Sequence, residues 1–222
     1  MNTLPWQDYL PDFWAALGQT LYMVAIAGPC IILLGLTVGT TLYLSAPQSV
    51  APRPALYYAL TTLVNVGRSI PFLILIVLLI PVTRAAVGTT LGPIAAIVPL
   101  VLGFSPFFSR LVEAALRELD QGRIDAARAM GVTRVQLIFR VLLPESFSGL
   151  LNAITIVLVG TVEGTAVAGA VGAGGVGDFA IEFGYQRFYS ELMFISVLAM
   201  VIIVQTLQLS GDAWVRARRH KR

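Results

Sequence analysis

Lysine and histidine are almost missing from this chain: among 222 residues there is one of each, Lys221 and His220, both within the last three positions. The rest of the sequence therefore holds no imidazole base, no Schiff-base amine and no phosphate-loop lysine, which removes most nucleophilic, ATP-hydrolysing and metal-assisted arrangements. Cysteine is equally scarce. Cys30 stands alone in an uncharged run, can form no disulfide within the chain, and reads as an inert buried thiol. Charge is the third deficit, at 12% of residues against 57% apolar, about half the share of an ordinary soluble domain. That balance describes a membrane protein of four to six spans, since each crossing takes about 20 apolar residues and leaves no room for a separate soluble domain.

The uncharged runs mark the spans. Between Asp12 and Arg53 there is no charge for 40 residues, which predicts a first span over 13–43, bent near Pro29 and followed by a turn at Pro47, Pro52 and Pro54. The first residues hold Asp8 and Asp12 without lysine or arginine, the reverse of a basic leader, so no cleavable signal is expected. A second span over 55–82 is entered obliquely, with Arg68 inside it and Pro71 breaking regular helix. The third runs over 85–109, kinked at Pro93, Pro99 and Pro106. The fourth covers 146–168 and leads into a glycine-rich turn, and the fifth covers 192–211.

Arginine then sets the orientation. Arg53, the six arginines from Arg110 to Arg140, and a basic tail of Arg216, Arg218, Arg219, Lys221 and Arg222 fall on one side of a five-span topology, which the positive-inside rule makes cytoplasmic. The amino terminus and the acidic segment with Asp178, Glu182 and Glu191 are then external. The basic tail reads as a membrane-surface anchor on lipid, and no nucleic-acid partner is expected. Trp6, Trp14, Tyr185, Phe188, Tyr189 and Trp214 fall near the expected interfaces as belt residues.

The cytoplasmic segment 110–144 is a long charged stretch in a chain that otherwise avoids charge. Its second half predicts a helix, a turn and a helix. Asp125, Ala126, Ala127, Arg128, Ala129 and Met130 favour helix, Gly131 supplies a left-handed residue to end it, and Thr133 with Gln136 forms a capping box for a second helix limited by Pro144. Small alanines beside Ile124 and Met130 suit docking into a groove; the plainer reading is an amphipathic helix lying on lipid headgroups.

Asp125-Ala126-Ala127, Gly131, Val141 and then Leu143-Pro144 resemble the EAA loop of ABC importer permeases with the spacing kept throughout, aspartate standing for the family's glutamate and valine for its isoleucine. Over most of the chain the resemblance narrows. Asn65-Val66-Gly67-Arg68-Ser69-Ile70-Pro71-Phe72, Ala96-Ile97-Val98-Pro99-Leu100, and the run from Gly169 to Gly177 with Phe183-Gly184-Tyr185 are together similar to the methionine importer permease family. The resemblance implies a type I importer fold: an all-α subunit of five transmembrane helices, amino terminus outside and carboxyl terminus cytoplasmic, in the bacterial cytoplasmic membrane. It also implies a homodimer that forms the pore, two ATP-binding cassette ATPase subunits docked on the loop at Asp125, Ala126, Ala127, Met130, Gly131, Leu143 and Pro144, and an extracytoplasmic substrate-binding protein. The chain itself would be no enzyme and would hold no cofactor or metal, ATP being bound by the partner.

One departure bears on the solute. Where that family usually has Gly-Tyr-Ser, this chain has Glu163-Gly164-Thr165, which adds a carboxylate at depth and removes a tyrosine. Ionisable groups at depth face a protein interior or a water-filled path, so Glu163, with Val167 one turn on, is a candidate for the translocation path; the alternative is a protonated carboxyl within a helix contact. Arg68 is either a third path residue or a span-end arginine that snorkels. Gly172 to Gly177 matches G-x-G-x-x-G, but a span precedes it where a dinucleotide site needs a strand. Methionine is the expected solute. A permease for another amino acid or small organic solute, or a channel without an ATPase, remains the alternative.

Overall fold

A computed structural model describes residues 6–219, with side chains from 7 to 217, and among these residues there are helices and turns but no strand. In chain order the helices are α1 (Trp6–Ser45), α2 (Pro54–Ser69), α3 (Phe72–Leu78), α4 (Ile80–Val87), α5 (Pro93–Arg117), α6 (Gln121–Ala129), α7 (Arg134–Leu137), α8 (Leu143–Glu145), α9 (Phe147–Gly169), α10 (Gly175–Phe179) and α11 (Ser190–Arg219). Wider π-helical turns, Ile138–Leu142 and Ala180–Gln186, follow α7 and α10. Among the described residues four helices, α1, α5, α9 and α11, are long and apolar enough to cross a membrane, and the bent pair α2–α3 passes the same test when taken together as one broken span.

Several hydroxyls in these helices are satisfied by their own backbone. In α1 the hydroxyls of Thr37, Thr41 and Ser45 donate to the carbonyls of Leu33, Thr37 and Thr41 at 2.7–2.8 Å. Thr155, Ser196 and Thr206 bond back one turn in the same way. A hydroxyl satisfied by its own helix costs little in hydrocarbon, whereas an unsatisfied one costs several kcal/mol.

The second span is broken at Pro71 by a sharp turn. Between α2 and α3 the axis turns by 104°, because Pro71 has no N–H to donate and its ring pushes Ile70 out of the helical region. Pro71 itself is extended, at φ −56° and ψ 133°. The third span also shifts. Residues 85–92 finish α4 and turn through Gly88, whose left-handed conformation caps that helix, so the crossing helix starts at Pro93. It continues to Arg117, two turns past the charge at Arg110 where the loop was expected to begin, because Glu113 pairs with an arginine on either side.

The residues group into two compact units, and α1, α5, α9 and α11 each supply residues to both. The first takes residues up to Cys30, Ile70–Phe104 and Leu158–Leu207. Its core is aromatic: Phe13, Phe179, Phe183 and Leu192 are buried, with Tyr9 and Tyr189 packed against them. Tyr189 is thus half-buried against that core, whereas Trp14, Tyr185, Phe188 and Trp214 are exposed. Trp6 as a belt residue lies outside the described side chains, as do Arg218 and Arg219 of the basic tail; Lys221 and Arg222 lie outside the described residues. The second unit takes Ile31–Ser69, Ser105–Val157 and the chain from Gln208, around the fully buried Phe108, Val112 and Leu116. Cys30 is exposed rather than buried. An apolar run does not say which side of a membrane helix meets its own chain.

Close helix packing in the second unit depends on small residues. A Cβ on Gly39 would lie 2.5 Å from the Ser109 carbonyl oxygen and 2.6 Å from Val112 Cβ, whereas one on Gly18 would meet nothing within 4 Å. Gly39→Ala should therefore destabilise the subunit by about 1–3 kcal/mol and Gly18→Ala should not. Thermal unfolding of the two variants in detergent checks the contrast.

Candidate functional site

The charged segment after α5 folds as an elbow in the second unit. Asp120 caps α6, its carboxylate accepting from the Gly122 N–H at 2.8 Å. Gly131 ends the helix at φ +75°, where its N–H reaches the Arg128 carbonyl and a side chain would be strained. The expected capping box is present: Gln136 N–H donates to Thr133 Oγ1 at 3.3 Å and Thr133 N–H to Gln136 Oε1 at 2.9 Å. An ion pair between Arg123 and Glu145 ties α6 to α8.

Burial divides α6 into two faces. Ile124 and Ala127 are buried, at 1% and 4%, so Ala127 packs inward and supports the helix. Asp125, Ala126 and Met130 point outward, with Asp125 3.8 Å from Arg128 on the same face. Gly131 and Pro144 are exposed and Leu143 is half-buried. Two outward apolar residues were not anticipated. Val135 and Phe139 are 64% and 65% exposed beside Met130 at 77%, and their i, i+4 spacing was the available signal.

In the first unit, α9 buries Val162, Thr161, Thr165 and Ala168, with Gly164 so close to Phe104 and Leu100 that a Cβ there would lie 2.6 and 2.9 Å from them. Glu163 and Val167 form a row on the other side, both exposed. This row leaves a carboxylate uncovered by its own chain in a helix otherwise without charge. Lipid contact at that position would cost about 3 kcal/mol or more. Arg68 belongs to the second unit, exposed at the end of α2, its guanidinium 5.8 Å from the centre of the Phe107 ring. The candidate residues therefore form three groups, the elbow, the α9 row and Arg68.

The glycine-rich run is occupied by the protein itself. Gly175 stands at φ +86° and its N–H donates to Gln19 Oε1 at 2.7 Å, while Val176 N–H donates to Thr20 Oγ1 at 2.9 Å. Gly92 N–H donates to the Gly172 carbonyl at 2.9 Å. The amides that a phosphate would need are already paired, and Gln19 and Thr20 carry no local sequence pattern that announces the role.

Beside this run is an open groove lined by Tyr9, Asp12, Gln19, Asp178, Glu182 and Arg187. Arg187 pairs with Glu182 at 2.5 Å and stacks over Phe183 at 4.5 Å. Burial, and secondarily the charge of Glu182, push the Asp178 carboxyl above the ordinary aspartate range. A carboxyl with a raised folded pKa holds its proton longer in the folded than in the unfolded state, so its contribution to stability falls as pH rises through the range just above pH 4. Asp178→Asn should therefore raise the unfolding temperature at pH 7 and lose that advantage near pH 4, in thermal unfolding at the two pH values.

Residues 31–220 match the family described as binding-protein-dependent transport system inner membrane component. The chain is 46% identical over 203 residues to the probable D-methionine transport system permease protein MetI of Vibrio cholerae, covering 91% of this chain and 90% of that one. It is 42% identical to the methionine import system permease protein MetP of Bacillus subtilis, covering 91% of each. Among solved structures it resembles the MetNI methionine ABC transporter in inward-facing conformations, at TM-score 0.93 and 42% identity over 95% of this chain and 97% of that one. An amino acid ABC transporter crystallised with histidines shares the fold at TM-score 0.78 and 20% identity, over 98% of this chain and 99% of that one.

Proposed function

The chain belongs to the family of binding-protein-dependent transport system inner membrane components, and we propose that it passes methionine through the membrane as the permease half of an ATP-driven importer. It is a multi-pass subunit of the bacterial inner membrane with the type I importer fold. In this reading it is not an enzyme and binds no cofactor. Two copies form the pore, two ATPase subunits dock on the cytoplasmic elbows, and a binding protein delivers solute from outside. The observation that carries the solute is that the relatives named for methionine align along nine-tenths of the chain.

Each local feature has a place in that cycle. The outward face of the elbow, Asp125, Ala126 and Met130 with Gly131, Leu143 and Pro144, seats in a cleft of the ATPase, and the inward Ala127 and Ile124 keep α6 rigid under load. ATP binding brings the two ATPases together, and the elbows carry that movement into the spans, which open outward to receive solute. The row with Glu163 and Val167 faces the pore or the second copy, since either relieves a carboxylate that lipid would penalise. Arg68 is read as the third residue of the translocation path.

Vesicles holding this subunit with its ATPase and binding protein should accumulate labelled L-methionine with ATP and not without it. ATPase assembly with no methionine uptake would point to a different solute, and no ATPase assembly would point to a channel. Met130→Asp places a charge on a side chain the subunit itself leaves exposed. It should lower ATPase co-purification and uptake roughly tenfold while leaving the unfolding temperature of the isolated subunit unchanged. Full ATPase recovery with that variant would remove the docking role of the elbow.

A further inference from the structure

Within the second unit, Glu113 of α5 is 3% exposed and held from both sides, by Arg110 at 2.5 Å and by Arg117 at 2.7 Å. Each arginine also reaches α2. Arg110 donates to Asn65 Oδ1 at 2.9 Å and to the Thr61 carbonyl at 3.5 Å, and Arg117 donates to the Tyr57 hydroxyl at 3.1 Å. The last turn of α2 is seated further by Arg68 over Phe107 and by Gly67, where a Cβ would meet the Pro106 ring at 3.1 Å. Directly after that turn the chain bends by 104°. Directly after Arg117, α5 gives way to the elbow helix α6.

We propose that the Arg110–Glu113–Arg117 clamp makes α2 and the lower part of α5 move as one body, so that displacement of the elbow changes the bend at Ile70–Pro71. Glu113, Arg110 and Asn65 are then positioning residues for transport, and the inference rests on the reading of α6 as the ATPase dock. Three observations support it. A buried carboxylate with two guanidinium partners offers little stability over apolar packing of the same volume, so its value lies in fixing geometry. The two α2 attachments, Tyr57 and Asn65, are eight residues apart, about 12 Å along the helix, which prevents α2 from pivoting on α5. The joint at Ile70–Pro71 is where the helical hydrogen bonding is interrupted, so relative movement concentrates there.

The test uses the complete transporter, with Cys30→Ser, Leu56→Cys and Leu73→Cys placing spin labels on exposed positions either side of the bend. With the clamp intact, the label-to-label distance should change when ATP is added. Asn65→Leu together with Tyr57→Phe removes both side-chain acceptors on α2 but leaves Arg110 and Arg117 paired with Glu113. The double substitution should abolish that change and cut maximal uptake roughly fivefold or more, with KM and ATP hydrolysis retained. Asn65→Asp with Tyr57 intact keeps both acceptors and should retain both readouts. An ATP-dependent distance change that survives the double substitution overturns the clamp, and so does a raised KM with unchanged maximal uptake, which would make these residues solute contacts. If the double variant fails to assemble, Arg110→Lys with Tyr57→Phe decides by the same readouts, since it keeps a positive charge beside Glu113 but loses the fork that reaches Asn65. The distance readout needs no solute. A wild-type complex that moves with ATP yet takes up no methionine removes the solute assignment alone, and one whose ATPase never binds removes the reading of the elbow.

Discussion

Hydrocarbon has no hydrogen bonds to offer, and the whole structure is organised around that refusal. Hydroxyls in the spanning helices bond to carbonyls one turn earlier. The carboxylate of Glu113 is enclosed by two guanidinium groups that are themselves engaged by α2. Irregular backbone in the glycine run is completed by side chains from α1. Glu163 stands apart from this pattern, being the one charged residue of α9 and exposed.

Spacing and charge made most of the fold legible. The uncharged runs located α1, α9 and α11 because a span is a statement about composition over about 20 residues. The Thr133–Gln136 box could be read because capping is local chemistry with a fixed offset. What escaped was decided by partners far away in sequence. The end of α5 was misplaced because Arg110 looks like a boundary until Glu113 and Arg117 are seen to neutralise one another along the helix. The angle at Pro71 could not be read from proline alone, since a proline states that a helix is interrupted and not where the next one points. Tyr189, placed at an interface by its position in the sequence, also packs half-buried against the aromatic core beside Tyr9.

The candidate residues divided along the same line. The resemblance identified the elbow, but only the burial pattern separated Asp125, Ala126 and Met130, which face out, from Ala127, which faces in. The motif therefore mixes two requirements, one for contact and one for rigidity. Val135 and Phe139 enlarge the outward apolar surface beyond the motif. Glu163 was visible at once because a carboxylate in such a sequence is rare, whereas Glu113, Asn65, Gln19 and Thr20 were not, because each matters through a partner on another helix.

The pairing of Gln19 and Thr20 with the amides of Gly175 and Val176 spans 156 positions, and this has a consequence for biogenesis. At a synthesis rate of about 5–20 residues per second, roughly 8–30 s pass between the emergence of the first helix and that of its partners. During that interval the Thr20 hydroxyl can turn to a carbonyl of its own helix, as Thr37 and Thr41 do, whereas the Gln19 amide has no such local partner and favours water or a polar neighbour over hydrocarbon until the glycine run arrives.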